Sequence, residues 1–325
     1  MFRLFNVLKK PNRLDDFAAN DNKGFTWYFT NTRGQILLLH RLGQIYVITF
    51  CLAVCWSSVS LGLPLIYDKS PWKLVYAQYL MKYICFCIVS NYILTVFHAG
   101  KSHLGAFSDG NLPTRNLDTS PNCSSNLDAI SSTDSALHLC TSCDLKVPPR
   151  ARHCAICQCC VLKKDHHCFF TGCCIGFYNQ RYFMTFCLLG MVGGSWGIYN
   201  LGTYLSTHYG AFLSLQIVKY FLPVTFFMCL LGYTSVFEAL LVMLFYLHFT
   251  STLTSYYYFG WEMFIIYRGQ TSYECMKGLK LYCDNFWMNM RSVFGPYWLI
   301  GFVLPVPILV NEGDGKSWIL KQKSA

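Results

Sequence analysis

Charge is scarce in this chain. Of 325 residues, 13% are Asp, Glu, Lys or Arg, and only 16 are acidic. A soluble domain carries roughly 25% charged residues, so this composition excludes an ordinary solvated globule. A cleavable leader is not expected either. Residues 1–43 hold seven Lys or Arg and no continuous apolar core, so no secretory signal peptide is expected there. Apolar and aromatic residues fill the space instead, at 54% and 17% of the chain, with a mean hydropathy of +0.32. The formal net charge of +10 does not point to nucleic acid as a partner. Basic residues beside membrane spans set topology and account for it.

Long apolar runs organise the chain. Residues 45–67 contain no charge over 23 positions, enough to span a bilayer. After the turn Asp68-Lys69-Ser70-Pro71, residues 74–97 form a second span holding Lys82. Residues 98–181 are polar, with a Ser-, Asn-, Asp- and Pro-rich lead-in at 108–135 expected to be poorly ordered. Apolar character resumes at 182–205, at 211–232 with Lys219 and Pro223, and at 234–258 with Glu238, while the apolar run 296–310 is too short to cross.

Lys and Arg number seven in 1–43, eight in 98–181 and seven in 259–325, against two in 68–73 and one in 206–220. The basic segments belong on the cytosolic side. Four crossings satisfy this count, with 211–232 interfacial or re-entrant; a fifth would place the basic tail outside. The expected organisation is a cytosolic N-terminal segment (1–43), a transmembrane hairpin (44–97), a polar cytosolic linker (98–139), a cysteine-rich zinc domain (140–181), spans 3 and 4 (182–258) and a cytosolic tail (259–325). The fold class expected is therefore membrane all-α. It is a four-helix transmembrane bundle with a cytosolic, cysteine-rich two-zinc module between spans 2 and 3.

Nine of the 18 cysteines lie within residues 140–174, in the order Cys140-x2-Cys143-x9-His153-Cys154-x2-Cys157-x2-Cys160-x4-Asp165-His166-His167-Cys168-x5-Cys174. Cys-x2-Cys knuckles with nearby histidines are zinc spacings, and a tetrahedral ion takes four such ligands. Two ions account for eight ligands. Clustered Cys/His sites of this kind belong to a reducing compartment. Cys168 stands apart, directly behind Asp165-His166-His167. A thiolate beside imidazole is a good nucleophile; His166 can take its proton and Asp165 can orient that imidazole. The competing reading is a zinc-binding scaffold without chemistry. Cys159 and Cys173 read as bystanders, and the cysteines at 51, 55, 85, 87 and 187 as small apolar residues of spans.

This stretch resembles the DHHC protein S-acyltransferases (palmitoyltransferases), over most of residues 40–295. The resemblance implies that Cys140, Cys143, His153 and Cys160 hold one structural Zn2+, and that Cys154, Cys157, His167 and Cys174 hold the other. It implies that Cys168 accepts an acyl group, with His166 as base and Asp165 orienting it. Asn179 in Gly176-Phe177-Tyr178-Asn179 fits the family pattern. Thr271-Ser272-Tyr273-Glu274 resembles its Thr-Thr-x-Glu, which implies that Thr271 bonds Asp165 and Glu274 docks the zinc module; a capping box reads equally well. Asn289-x3-Val293-Phe294-Gly295 resembles the tail motif that packs near the site.

Two departures stand out. Phe169 and Phe170 replace the usual proline and tryptophan, leaving Phe170 to pack on the first acyl carbons. The Asp-Pro-Gly motif expected after span 2 is absent, with only Asp109-Gly110 nearby.

The activity implied is protein-cysteine S-acylation with acyl-CoA, palmitoyl-CoA in particular, as donor. Partners would be fatty acyl-CoA, the lipid bilayer and membrane-associated substrate proteins bearing cysteines, in the ER or Golgi membrane. Arg150, Arg152, Lys163 and Lys164 suit either CoA phosphates or anionic lipid headgroups. Gly193 and Gly194 read as close helix packing or as the deep end of an acyl cavity. A thioesterase, or an acyltransferase to a small molecule, is the other chemical alternative.

Overall fold

The computed structural model describes residues 24–104, 137–282, 285–297, 299–300, 305 and 311–318. The Ser/Asn-rich lead-in, Asp109-Gly110, most of 296–310 and the chain's last residues lie outside them. Helix α1 (Gly24–Ser57) passes through a π-helical turn at Ser58–Gly62 into α2 (Leu63–Ile66). Next come α3 (Pro71–Ala99), a 3-10 turn at Gly100–Ser102 and strand β1 (His103–Leu104). The cysteine-rich segment supplies β2 (His138–Cys140), β3 (Leu145–Val147), β4 (Arg152–Cys154), β5 (Cys159–Val161), β6 (His166–Cys168) and β7 (Cys173–Ile175). Helices α4 (Gln180–His208), α5 (Leu222–Leu230), α6 (Val236–Tyr267), α7 (Ser272–Met276) and α8 (Phe286–Phe294) complete it, with a 3-10 turn at Leu215–Tyr220 before α5.

Among the described residues, four helical stretches are long and apolar enough to cross a membrane: Leu38–Ile66, Pro71–Ser102, Gln180–His208 and Val236–Tyr267. The protein is a multi-pass membrane protein with a small cysteine-rich module between its second and third spans. Each helix outruns the apolar run that marks it in the sequence, because the backbone continues where proteins and headgroups replace lipid. Helix α6, 32 residues long, extends roughly 48 Å against about 30 Å of hydrocarbon. Its last turns therefore reach the module. Glu238, the acid at the start of that span, forms a capping box with Ser235: Glu238 N–H donates to Ser235 Oγ (3.1 Å), and Ser235 N–H to Glu238 Oε2 (2.9 Å). Pro71 starts α3, where its missing N–H costs nothing. Segment 211–232 forms the 3-10 turn and the nine-residue α5, too short to span, and leaves Leu213, Phe226, Phe227 and Leu230 exposed.

Three small antiparallel sheets, in the orders β1-β5-β4, β2-β3 and β6-β7, build the module. Strand β1 follows directly on α3 and pairs His103 with Val161, so the end of the second span is sewn into the module. Asn179 makes the second seam. Its buried side chain accepts from Gly176 N–H (2.8 Å) and donates to the carbonyls of Thr95 (3.0 Å) and Cys174 (2.9 Å). Helix α3, strand β7 and the start of α4 meet on that one amide.

Close helix packing joins the last two long spans. A Cβ on Gly190 would meet Ser255 Oγ, one on Gly194 Thr252, and one on Gly197 His248. These contacts run up α4 and down α6, as antiparallel helices require. Gly194→Val should therefore force the two helices apart and cost about 1–3 kcal/mol, read as a lowered Tm in detergent.

Candidate functional site

Side chains alternate across a strand, and this alternation sorts the ligands. Strand pairing sets His153 opposite Cys160 and His167 opposite Cys174. Cys140, Cys143, His153 and Cys160 form one cluster, and Cys154, Cys157, His167 and Cys174 the other, the ligating atoms of each lying within 4.8 Å of one another. The neighbours His153 and Cys154 point to opposite faces of β4 and so serve different clusters. Each knuckle turns the same way: Asp144 N–H donates to Cys140 O (2.8 Å) and Gln158 N–H to Cys154 O (2.7 Å), with Asp144 at φ 53° and Gln158 at φ 55°.

The clusters fit zinc. Tetrahedral Zn2+ about 2.3 Å from sulfur and about 2.0 Å from nitrogen separates sulfurs by roughly 3.8 Å and sulfur from nitrogen by roughly 3.5 Å. Cys143 and Cys160 sulfurs lie 3.8 Å apart, and those of Cys157 and Cys174 3.7 Å. His167 Nδ1 lies 3.6, 3.4 and 3.6 Å from the sulfurs of Cys154, Cys157 and Cys174, and His153 Nδ1 lies 3.2 Å from Cys143. Cys159 and Cys173 are buried outside both clusters.

The same alternation separates the residues of β6. His167 turns to a zinc cluster, while His166 and Cys168 turn to the spans. His166 Nδ1 donates to Asp165 Oδ2 (2.9 Å) and lies 3.7 Å from Glu262 Oε1. Its Nε2 is buried without a hydrogen-bond partner. Burial pushes the imidazole down, but Asp165 and Cys168 beside it and Glu262 behind it raise it to about 10. Cys168 is buried among Ile175, Phe183 and Cys187. Burial pushes its thiol up, yet the adjacent imidazole and Thr171 hold it below its ordinary value. Burial likewise works against the Asp165 carboxylate, and the bonds from His166 and Ser272 keep it low. A thiol, an imidazole and a carboxylate thus stand ready for nucleophilic attack with proton transfer.

Ser272, not Thr271, meets Asp165: its N–H donates to Oδ1 (2.6 Å) and its hydroxyl to Oδ2 (2.8 Å). Thr271 caps α7 instead, its Oγ1 accepting from Glu274 N–H (3.3 Å). Capping turns the Thr271 side chain back onto its own helix and presents the next residue to the module. Glu274 forms a two-point pair with Arg150 of the module, at 2.9 Å to Nε and 2.7 Å to Nη2, both side chains buried. Asn289 sits on α8 with its amide nitrogen buried and unpartnered among the described residues. Its neighbours Met290 and Val293 pack on Met184 and Ile266 of the bundle.

Glu262 escaped the sequence reading. Wholly buried, it takes a hydrogen bond from Gln180 (2.9 Å) and lies in one group with Asp165 and His166. Its only signal was an acid at the end of an apolar run. A cavity of the kind expected at Gly193 and Gly194, of about 260 Å3, leads from Cys168 into the bundle. Phe170 lies at its mouth, Cys187 and Tyr258 below, and Gly193, Gly194 and His248 deeper in. Phe170 is held by Tyr92, whose hydroxyl donates to its carbonyl (2.8 Å). Gly193 and Gly194 do both things foreseen for them: they line the cavity, and a Cβ on Gly193 would lie 2.6 Å from Ile84.

Residues 133–279 match the family model described as DHHC palmitoyltransferase. No curated protein matches the chain.

Metal analysis of purified protein should find about two zinc ions per chain, falling to about one in His153→Ala or His167→Ala. Glu274→Ala leaves Arg150 buried without its partner and should cost about 3–5 kcal/mol, measured by thermal unfolding.

Proposed function

This chain carries a DHHC palmitoyltransferase domain at residues 133–279, and from it we propose a protein S-acyltransferase that moves a fatty acyl group from acyl-CoA to cysteines of membrane-associated proteins. The observation that carries this reading is the position of Cys168, buried beside His166 at the mouth of an apolar cavity between the spans. Its thiolate attacks the thioester carbonyl of acyl-CoA, and the CoA thiolate leaves. The acyl-enzyme then passes its chain to a substrate thiolate, which frees Cys168. His166 Nε2 holds and returns the proton while Nδ1 stays on Asp165. Ser272 fixes Asp165 and so fixes the imidazole's orientation.

Exchange of one thioester for another is nearly thermoneutral, so catalysis here is placement and thiol activation. A sixteen-carbon chain, at about 0.8 kcal/mol per buried CH2, offers roughly 12 kcal/mol of gross burial, which explains a site opening into a membrane bundle. Zinc in the two clusters would be structural, since all eight ligands are protein groups, and would hold the hairpins that present Cys168. Palmitoyl is the expected chain. By the distribution of Lys and Arg, the module and both termini face the cytosol, and residues 211–232 lie in the opposite interface; the ER or Golgi membrane is what the family resemblance implies.

Clickable palmitoyl-CoA offered to detergent-purified protein should label the wild type, and neutral hydroxylamine should release the label. Cys168→Ser should abolish labelling and His166→Ala should slow it at least 100-fold. Labelling that persists in Cys168→Ser, or none in a wild type holding both zinc ions, would leave the zinc scaffold as the better account.

A further inference from the structure

Cys168 has a second thiol set opposite it. Strands β6 and β7 pair Cys168 directly with Cys173 at the tip of their hairpin. Directly opposed residues of an antiparallel pair put their side chains on one face, with Cα atoms about 4.5–5.5 Å apart. A disulfide bridges Cα atoms about 4.4–6.8 Å apart, so the strand pairing itself supplies the backbone spacing. Ile175, the next residue of β7 on that face, packs against Cys168, as the alternation requires.

The Thr171 hydroxyl joins the two thiols. Cys173 Sγ donates to its oxygen (3.3 Å), and the Cys168 thiol bonds the same hydroxyl. The turn that carries Thr171 is clamped by two spans. Gln44 of α1 donates to Thr171 O (2.7 Å), and Tyr92 of α3 to Phe170 O (2.8 Å). Gly172, at φ 65°, closes the turn with its N–H on Cys168 O (3.0 Å). Cys168 and Thr171 line the cavity, which gives a small oxidant a way to the first thiol. Cys173 is buried behind it and belongs to neither zinc-fitting cluster.

Reactive thiols that respond to oxidant are often poised beside a resolving cysteine. We propose that Cys173 is such a resolving cysteine, and that hydrogen peroxide converts the Cys168–Cys173 pair to a disulfide that withdraws the nucleophile until a dithiol reduces it. Cys168 sulfur attacks one peroxide oxygen: the S–O bond forms, the O–O bond breaks, and the second oxygen leaves with the thiol proton as water. The sulfur loses two electrons and the peroxide gains them. Cys173 sulfur then attacks Cys168 sulfur: the S–S bond forms, the S–O bond breaks, and hydroxide leaves with the Cys173 proton as water. The ring encloses only residues 169–172, so chain entropy favours it little and thiol exchange reopens it. The bond needs only the two thiols; its effect on transfer rests on the acyltransferase reading.

Detergent-purified full-length protein would be treated with hydrogen peroxide and then with dithiothreitol. Peptide mass, zinc content and loading from clickable palmitoyl-CoA would be read at each stage. Wild type should lose two hydrogens, show residues 168 and 173 linked, keep its zinc, and fall at least about ten-fold in loading, which dithiothreitol restores. Cys173→Ser and Cys173→Ala should load as wild type does before oxidation. After it, their Cys168 should carry two or three added oxygens, and dithiothreitol should restore less than about a fifth of the loading. A wild-type link from Cys168 to Cys187 or any other cysteine, loss of loading that tracks loss of zinc, or equal recovery in wild type and variants would overturn the inference. The wild-type peptide map decides the pairing even where a variant fails to fold. A Cys168–Cys173 link in a wild type that never loads an acyl group would support the pair and overturn the acyltransferase reading alone.

Discussion

A strand sends alternate side chains to opposite faces, and this molecule depends on that fact in two places. In β4 it divides His153 from Cys154, so two adjacent residues serve two different tetrahedral clusters. In β6 it divides His167 from His166 and Cys168, so a member of a zinc-fitting cluster stands between two residues that face the spans. A one-residue slip in either hairpin would exchange the faces. Val147, Leu162 and Phe177 give the module a small apolar core, and zinc held at the two clusters would add on the order of 10 kcal/mol each.

Docking converts that rigid module into a site. Its two charged contacts with the segment after the last span, Asp165 with Ser272 and Arg150 with Glu274, are buried. Breaking either leaves a desolvated charge, so the module has one stable seat on the bundle. Burial also brings Asp165, His166 and Glu262 into one group. Two carboxylates, Asp165 and Glu262, face the same nitrogen of His166, which holds the imidazole's other nitrogen free on the thiol side. That arrangement favours thiolate with imidazolium over the neutral pair, in surroundings where water is sparse.

The bundle contributes space and its limits. Glycines on α4 admit Ser255, Thr252 and His248 of α6 and Ile84 of α3 at close range, and beside these contacts the four spans leave a cavity lined by Val47, Phe50, Ile88 and His248 among others.

The cysteine spacing, the long uncharged runs and the Asp165–Cys168 order were legible without coordinates, because metal geometry, bilayer thickness and nucleophile activation each demand residue types at short fixed intervals. Both ligand sets follow from that local grammar together with the family resemblance. Ser272 was not legible: the choice between it and Thr271 turns on which side chain a helix cap consumes. Glu262 was no more visible, since an acid in an apolar run acquires a role only from the residues facing it. What the sequence by itself determined is the set of short-range constraints: four spans, two zinc clusters and one poised thiol. What only the tertiary structure decided is which distant groups meet that thiol and what lines the space behind it, because contacts between residues 80 to 100 positions apart, such as Cys168 with Tyr258, are set by helix packing and leave no periodic mark on the chain.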